Sequence, residues 1–175
     1  METLFRTIHG SRLYGLAHAN SDEDFYTVLA NRPKRKSRYA KQVIDGKLDS
    51  MEVDFSTFTY YADLGVPQAL EAMFAPPAEI DVIEEFRWHY RANMPNMRAR
   101  YVRTIKSFAL RDNYKARRHA FRLCLNLTEA MGRGRFNPTL TPIEATRITD
   151  RAGRHNYLQL LEGMMPCEGL SFERD

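Results

Sequence analysis

The spacing of apolar residues changes character once along the chain. Up to about residue 55 they come in short runs. Leu4, Phe5 and Ile8 predict a strand ending at Gly10, and residues 25–29, rich in aromatic and β-branched side chains, predict a buried second strand. Asp45 and Gly46 predict a hairpin whose arms cover residues 39–44 and 47–55. From Ser56, read as an N-cap, the period becomes helical: Phe58, Tyr61, Ala62 and Leu64 share a face. Pro67, Pro76 and Pro77 punctuate the next stretch, and a helix is predicted over residues 80–90. Met97, Tyr101, Ile105, Phe108 and Ala109 form one stripe. Ala116, Ala120, Leu123, Cys124, Leu127 and Met131 form another, closed by Gly132. Thr141, Pro142 and Glu144 make a capping box for a helix ending near Gly153, and a last short helix is predicted over 156–164. The expected class is α+β: a small mixed N-terminal sheet in an α/β core over residues 1–75, with a helical lobe over 76–175 packed on it. With no internal repeat and no low-complexity linker, the two read as lobes of one unit.

Composition narrows the function classes. At 175 residues, 43% hydrophobic and 27% charged, the chain is neither collagen, a coiled-coil rod nor wholesale disorder. No apolar run approaches the roughly 20 residues that span a bilayer, and the N-terminus lacks the pattern of a secretory signal, so the expectation is a cytoplasmic protein without a membrane partner. Cys124 and Cys167 lie too far apart for a zinc or redox pair, which suits a reducing compartment. The glycosylation triplet at Asn126 falls inside a helical pattern and reads as chance. The net charge of +4 hides a division: residues 1–86 carry 9 Lys/Arg against 14 Asp/Glu, whereas residues 87–154 carry 16 against 4. An acidic half beside a basic one suits a metal site facing a polyanion.

The most specific stretch is residues 9–28, HGSRLYGLAHANSDEDFYTV. Gly10 lacks a Cβ, so the backbone beside it can approach a phosphate, and the Ser11 hydroxyl adds a donor. Asp22 and Asp24 lie two apart on an extended segment, so both carboxylates project from one face, whereas Glu23 points to the other. Two carboxylates about 4 Å apart repel by roughly 4 kcal/mol at an effective dielectric near 20. Mg²⁺, a hard ion held by one or two carboxylates plus substrate phosphates, would offset that repulsion. A third acid would complete a two-metal site. Asp54 on the second hairpin arm is the candidate, with Glu52 two residues earlier as the alternative.

These residues resemble the DNA polymerase β superfamily of nucleotidyltransferases: a Gly-Ser or Gly-Gly pair, about ten residues, an Asp-x-Asp pair and a later acid on a neighbouring strand. With VDFSTFTYYADLGVPQALEAMF and YKARRHAFRL added, the chain is similar over about residues 4–162 to the stand-alone bacterial and phage branch of predicted nucleotidyltransferases. That branch includes the RNA-repair-associated polymerase β-like proteins. The resemblance implies a polymerase β-like sheet topology, with Asp22, Asp24 and Asp54 holding catalytic Mg²⁺, for which Mn²⁺ could substitute. It implies that Asp54 assists deprotonation of the acceptor hydroxyl and that Gly10 and Ser11 bind the phosphates of a nucleoside triphosphate. It also implies a reaction: transfer of a nucleoside monophosphate from that triphosphate, ATP among the options, to an acceptor hydroxyl with release of pyrophosphate. The chain lacks room for the DNA-gripping domains of a processive polymerase.

Lys115, His119 and Arg122, spaced by four and three, share a helix face opposite the apolar stripe and are candidates for closing over the triphosphate or acceptor. Arg12 is a further phosphate candidate by proximity to Ser11. Six of the ten residues 32–41 are Lys or Arg, either a nucleic-acid contact or a solvated basic loop. The glycines at 132 and 134 lack a dinucleotide-binding context, His9 and His18 lack partners at zinc spacing, and Ser11 lacks a nucleophile elbow. The acceptor stays open between an RNA 3′ end, favoured by the basic half, a protein hydroxyl and a small molecule. The rival reading is a catalytically inactive nucleic-acid-binding or antitoxin-like regulatory module on the same fold.

Overall fold

The computed structural model describes residues 1–31, 38–111, 113–134 and 136–154. The predicted helix over 156–164, Cys167 and most of the basic loop lie outside these residues. The described chain is mixed α+β, with a five-stranded sheet and seven helices. Strand β1 (Thr3–His9) leads through a single helical turn, α1 (Gly10–Leu13), to β2 (Glu23–Leu29). Strands β3 (Ala40–Asp45) and β4 (Leu48–Asp54) form the expected hairpin, with Gly46 and Lys47 as its loop. Two helices follow, α2 (Phe55–Asp63) and α3 (Pro67–Met73), then β5 (Ile80–Asp81) and α4 (Glu84–His89). The remainder is helical: α5 (Met94–Ala109), α6 (Tyr114–Arg133) and α7 (Pro142–Arg154). None of the described helices is long and apolar enough to cross a membrane.

The sheet order is β3-β4-β2-β1-β5, with β2 and β4 parallel and every other pair antiparallel. The parallel pair places the start of β4 beside the start of β2, so that Asp24 stands opposite Asp49 and Leu29 opposite Asp54. In β1 the buried residues are Phe5, Thr7 and His9, while Ile8 faces solvent. The strand therefore turns polar side chains inward where it meets α1.

One apolar core joins the sheet to the helices. Phe5, Tyr26, Val28 and Val53 pack with Phe58, Leu70 and Met73, and these with Met97, Tyr101 and Ile105. The α6 stripe closes the same core through Ala120, Leu123 and Leu127. Asn113 caps α6 through the Ala116 N–H at 2.9 Å, and the helix ends at Gly134, two residues beyond the expected stop, in the left-handed region at φ +64°. The Thr141/Glu144 capping box forms as expected, with reciprocal bonds of 2.7 and 3.3 Å at the start of α7. Asn126 is buried and donates to the Asn137 carbonyl at 2.9 Å, which leaves no exposed glycosylation acceptor there.

Candidate functional site

The carboxylates gather where β2 begins. Asp22 and Asp24 line one cleft, and Asp49, the register partner of Asp24 on β4, lines it with them. Adjacent strands lie about 4.8 Å apart, so these acids are close neighbours. The Asp24 carboxyl is held above its ordinary pKa, first by partial burial and then by the charges of Asp49 and Asp22; Lys115 and the Ser11 N–H oppose this only in part. Glu23 points away from the cleft and pairs with Arg12 at 3.5 Å.

Gly10 is required by this arrangement. Its φ is +62°, and a Cβ there would lie 1.8 Å from Asp24 Oδ2 and 2.6 Å from Asp24 Cγ. The carboxylate thus lies over the Gly10 Cα and accepts a hydrogen bond from the Ser11 backbone N–H. That amide, expected to meet a phosphate, is engaged by Asp24 instead. Gly10 and the rest of Ser11 still line the cleft.

The opposite wall is basic. Arg100 on α5, Arg111 just beyond it, and Lys115 and Arg118 on α6 all line the cleft. Across their helical spans α5 and α6 contain a single acid, Glu129. Two aromatic side chains, Phe108 and Tyr114, interleaved with these cations along the sequence, line the same cleft. The Nε of Arg118 is buried without a hydrogen-bond partner, a donor in need of an acceptor. His119 stacks on Phe108 with centroids 5.2 Å apart. Its pKa is lowered to about 4, first by burial and then by Arg122, Arg118, Lys115 and Arg111, so the imidazole is neutral at pH 7. The cleft measures about 1230 Å³.

The structure places four of the expected residues away from the acid pair or already engaged. Asp54 is not beside the acid pair: it lies five residues along β4 from Asp49, about 17 Å at the rise of a strand. There it caps α2 in place of Ser56, accepting from the Thr57 N–H at 2.7 Å, the Ser56 hydroxyl at 2.8 Å and the Thr57 hydroxyl at 3.2 Å. Burial alone would raise its pKa, but these bonds outweigh it and hold the carboxyl below its ordinary value. Glu52 pairs in register with Thr27 and accepts from the Tyr39 hydroxyl at 3.4 Å, outside the cleft. Arg12 leans toward Glu23 and the Asp22 carbonyl and does not line the cleft. Arg122 does line it, but is almost wholly buried and bonded to Glu71 at 2.6 Å, so its charge is already paired. The missed acid, Asp49, follows a hairpin turn, and only the parallel β2/β4 register reveals it. Arg100, Arg111 and Arg118 were hidden among the many basic residues of the helical half.

Among the described residues no group of three or more His, Cys, Asp or Glu side chains is assembled as a metal cage. Asp22, Asp24 and Asp49 are nevertheless oxygen donors of the type hard divalent ions take, and such ions are commonly held by one or two carboxylates with phosphate and water completing the shell. Compared with known proteins, the chain matches no protein-family model and no curated protein, so the geometry of the cleft carries the functional reading.

Proposed function

We propose that the protein is a nucleotidyltransferase of polymerase β-like topology, which moves a nucleoside monophosphate from a nucleoside triphosphate to an acceptor hydroxyl. The observation that carries this reading is the facing of two walls across one cleft: Asp22, Asp24 and Asp49 on the sheet, and Arg100, Arg111, Lys115 and Arg118 on the helices. Acids alone would suit a cation, and cations alone a polyanion. Their opposition suits a polyphosphate accompanied by a divalent ion.

In this reading Asp22, Asp24 and Asp49 would hold Mg²⁺, or Mn²⁺ in its place, which when bound supplies positive charge at the reacting phosphate. Asp49 takes the role first given to Asp54. Arg111, Lys115 and Arg118 bind and orient the triphosphate, and the unpartnered Arg118 Nε donates to a phosphate oxygen. The acceptor oxygen attacks the α-phosphorus, its proton passes to Asp49, and the bond from the α-phosphorus to the bridging oxygen breaks with its electron pair leaving on pyrophosphate. A stretch of cations interleaved with Phe108 and Tyr114 is the surface a single-stranded nucleic acid uses, phosphates on the cations and bases on the rings. An RNA 3′ hydroxyl is therefore the favoured acceptor.

The test is incubation with Mg²⁺, each labelled nucleoside triphosphate, and separate RNA, DNA and protein pools. Label on RNA with one pyrophosphate released per transfer is the expected result. No labelled pool and no pyrophosphate, with RNA still bound in a steeply salt-dependent manner, would replace the enzyme with a binding module.

A further inference from the structure

Beneath the glycine turn lies a buried charged junction that neither the acid wall nor the basic wall accounts for. Glu71, on α3, is fully buried. Its Oε1 accepts from Arg122 Nη1 of α6 at 2.6 Å, and its Oε2 accepts from the Tyr14 hydroxyl, with His9 Nε2 3.4 Å away. The Arg122 guanidinium also lies over the Tyr14 ring, 3.6 Å from its centroid. His9 and Tyr14 stand immediately before and after α1, and the His9 ring packs edge-on against both Tyr14 and Tyr26. One carboxylate thus touches both ends of the segment that carries Gly10 and Ser11, and also the helix that carries Lys115 and Arg118.

We infer that Glu71 is a positioning residue: from this junction it fixes the Gly10–Ser11 turn, and through it the Asp24 carboxylate, at a set distance from the basic wall of α6. The chain of contacts is continuous. Glu71 holds Tyr14 and flanks His9; these bracket Gly10 and Ser11; the Ser11 N–H holds Asp24, which already presses on the Gly10 Cα. On the other side Glu71 holds Arg122, one helical turn from Arg118 and two from Lys115. An apolar residue at 71 could fill the same space but could not hold the Tyr14 hydroxyl and the Arg122 guanidinium at once. A buried ion pair is poor evidence of stabilisation, since apolar replacement of both partners is often neutral or better. Its place beside the cleft points to geometry.

This inference rests on the proposed chemistry only for its consequence in turnover, and the test separates the two. Replacing the whole junction, Glu71→Met with Arg122→Met and Tyr14→Phe, removes both charges and the hydroxyl together and leaves no buried charge unpaired. A purely structural junction predicts that this variant regains both wild-type stability and wild-type behaviour at the turn. The positioning role predicts recovered stability, but exchange of the Ser11 amide hydrogen faster by about tenfold, the effect of losing one ordinary hydrogen bond. It also predicts a fall in kcat for pyrophosphate release larger than any change in KM. Should the triple variant not fold, Tyr14→Phe alone keeps the ion pair and is expected to accelerate Ser11 exchange in the same direction. Wild-type exchange at Ser11 in either folded variant overturns the inference. Absence of pyrophosphate release by the wild-type protein overturns the proposed chemistry, while the exchange comparison still decides whether Glu71 holds the turn.

Discussion

Strand β4 carries aspartates near both of its ends, and their surroundings differ in kind. Asp54, at the last position, has a helix terminus to satisfy it: three hydrogen bonds from Ser56 and Thr57 favour its ionised form and lower its pKa. Asp49, near the first position, stands opposite Asp24, whose proton affinity is raised by burial and then by Asp49 and Asp22. The same residue type on the same strand thus serves as a satisfied cap at one end and as part of a repulsive cluster at the other. A fold gains from the first arrangement and loses from the second, so the second is where a ligand is expected to contribute the missing interaction.

The largest effect that would sharpen this contrast is at Asp24. Asp24→Asn should abolish Mg²⁺-dependent triphosphate binding, measured by calorimetry, and yet raise the thermal midpoint of the unliganded protein by about 2 °C by removing one of the repelling charges. A lower midpoint would mean that Asp24 is a structural acid like Asp54. Next is Gly10→Ala, which places a Cβ where the Asp24 carboxylate lies and forces a non-glycine residue into the left-handed region. The backbone term alone costs roughly 1–2 kcal/mol, and displacement of Asp24 should eliminate cation-dependent binding as well. Denaturant unfolding and calorimetry on the same sample separate these two losses.

Asp54→Ala comes third. Loss of the α2 cap should cost about 1 kcal/mol of stability in denaturant unfolding, with triphosphate binding unchanged. If binding falls as it does in Asp24→Asn, the division between the two ends of β4 is wrong. The pair also differs in pH dependence. Because the Asp54 pKa is lowered by folding, the stability it contributes is present above the ordinary carboxylate value and is lost as the pH falls through its folded value. Because the Asp24 pKa is raised, the folded protein binds that proton more tightly than the unfolded chain, so Asp24 costs stability as the pH rises through the carboxylate range. Mg²⁺ affinity should increase over that same interval.

The last test is at His119, whose folded pKa of about 4 lies below its ordinary value of 6.5. Between these values the unfolded chain binds the proton and the folded protein does not, so stability should decline as the pH drops from 6.5 to about 4, and His119→Gln should flatten that limb. An anion bound by Arg118 and Lys115 offsets the charges that suppress His119 protonation. Tripolyphosphate binding near pH 5.5 should therefore take up protons, visible as a dependence of the calorimetric heat on the ionisation enthalpy of the buffer. Buffer-independent heats would place the anion elsewhere.

Much of the fold was legible because its signals are local. The stripes of α5 and α6, the hairpin at Gly46 and the Thr141/Glu144 box each depend on residues within a turn or two of one another. Other features misled for equally local reasons. Ile8 looked like the apolar residue that a strand should bury, but the period of two carries Phe5, Thr7 and His9 inward instead. Helix α3 was read only as proline punctuation, although Pro67 occupies its first turn, where a missing N–H costs nothing.

By itself the sequence determined which segments are strands and helices over most of the chain, and that basic residues concentrate in the helical half. These follow from backbone periodicity and composition. Only the tertiary structure decided that Asp49 and not Asp54 stands beside Asp24, that the Asp24 carboxylate lies against the Gly10 Cα, and that Arg122 is occupied by Glu71. Each depends on strand order, on parallel rather than antiparallel pairing, or on a contact between residues more than ten positions apart. Such pairings are set by burial of the shared core as a whole, a sum over many distant side chains that no single stretch of sequence contains.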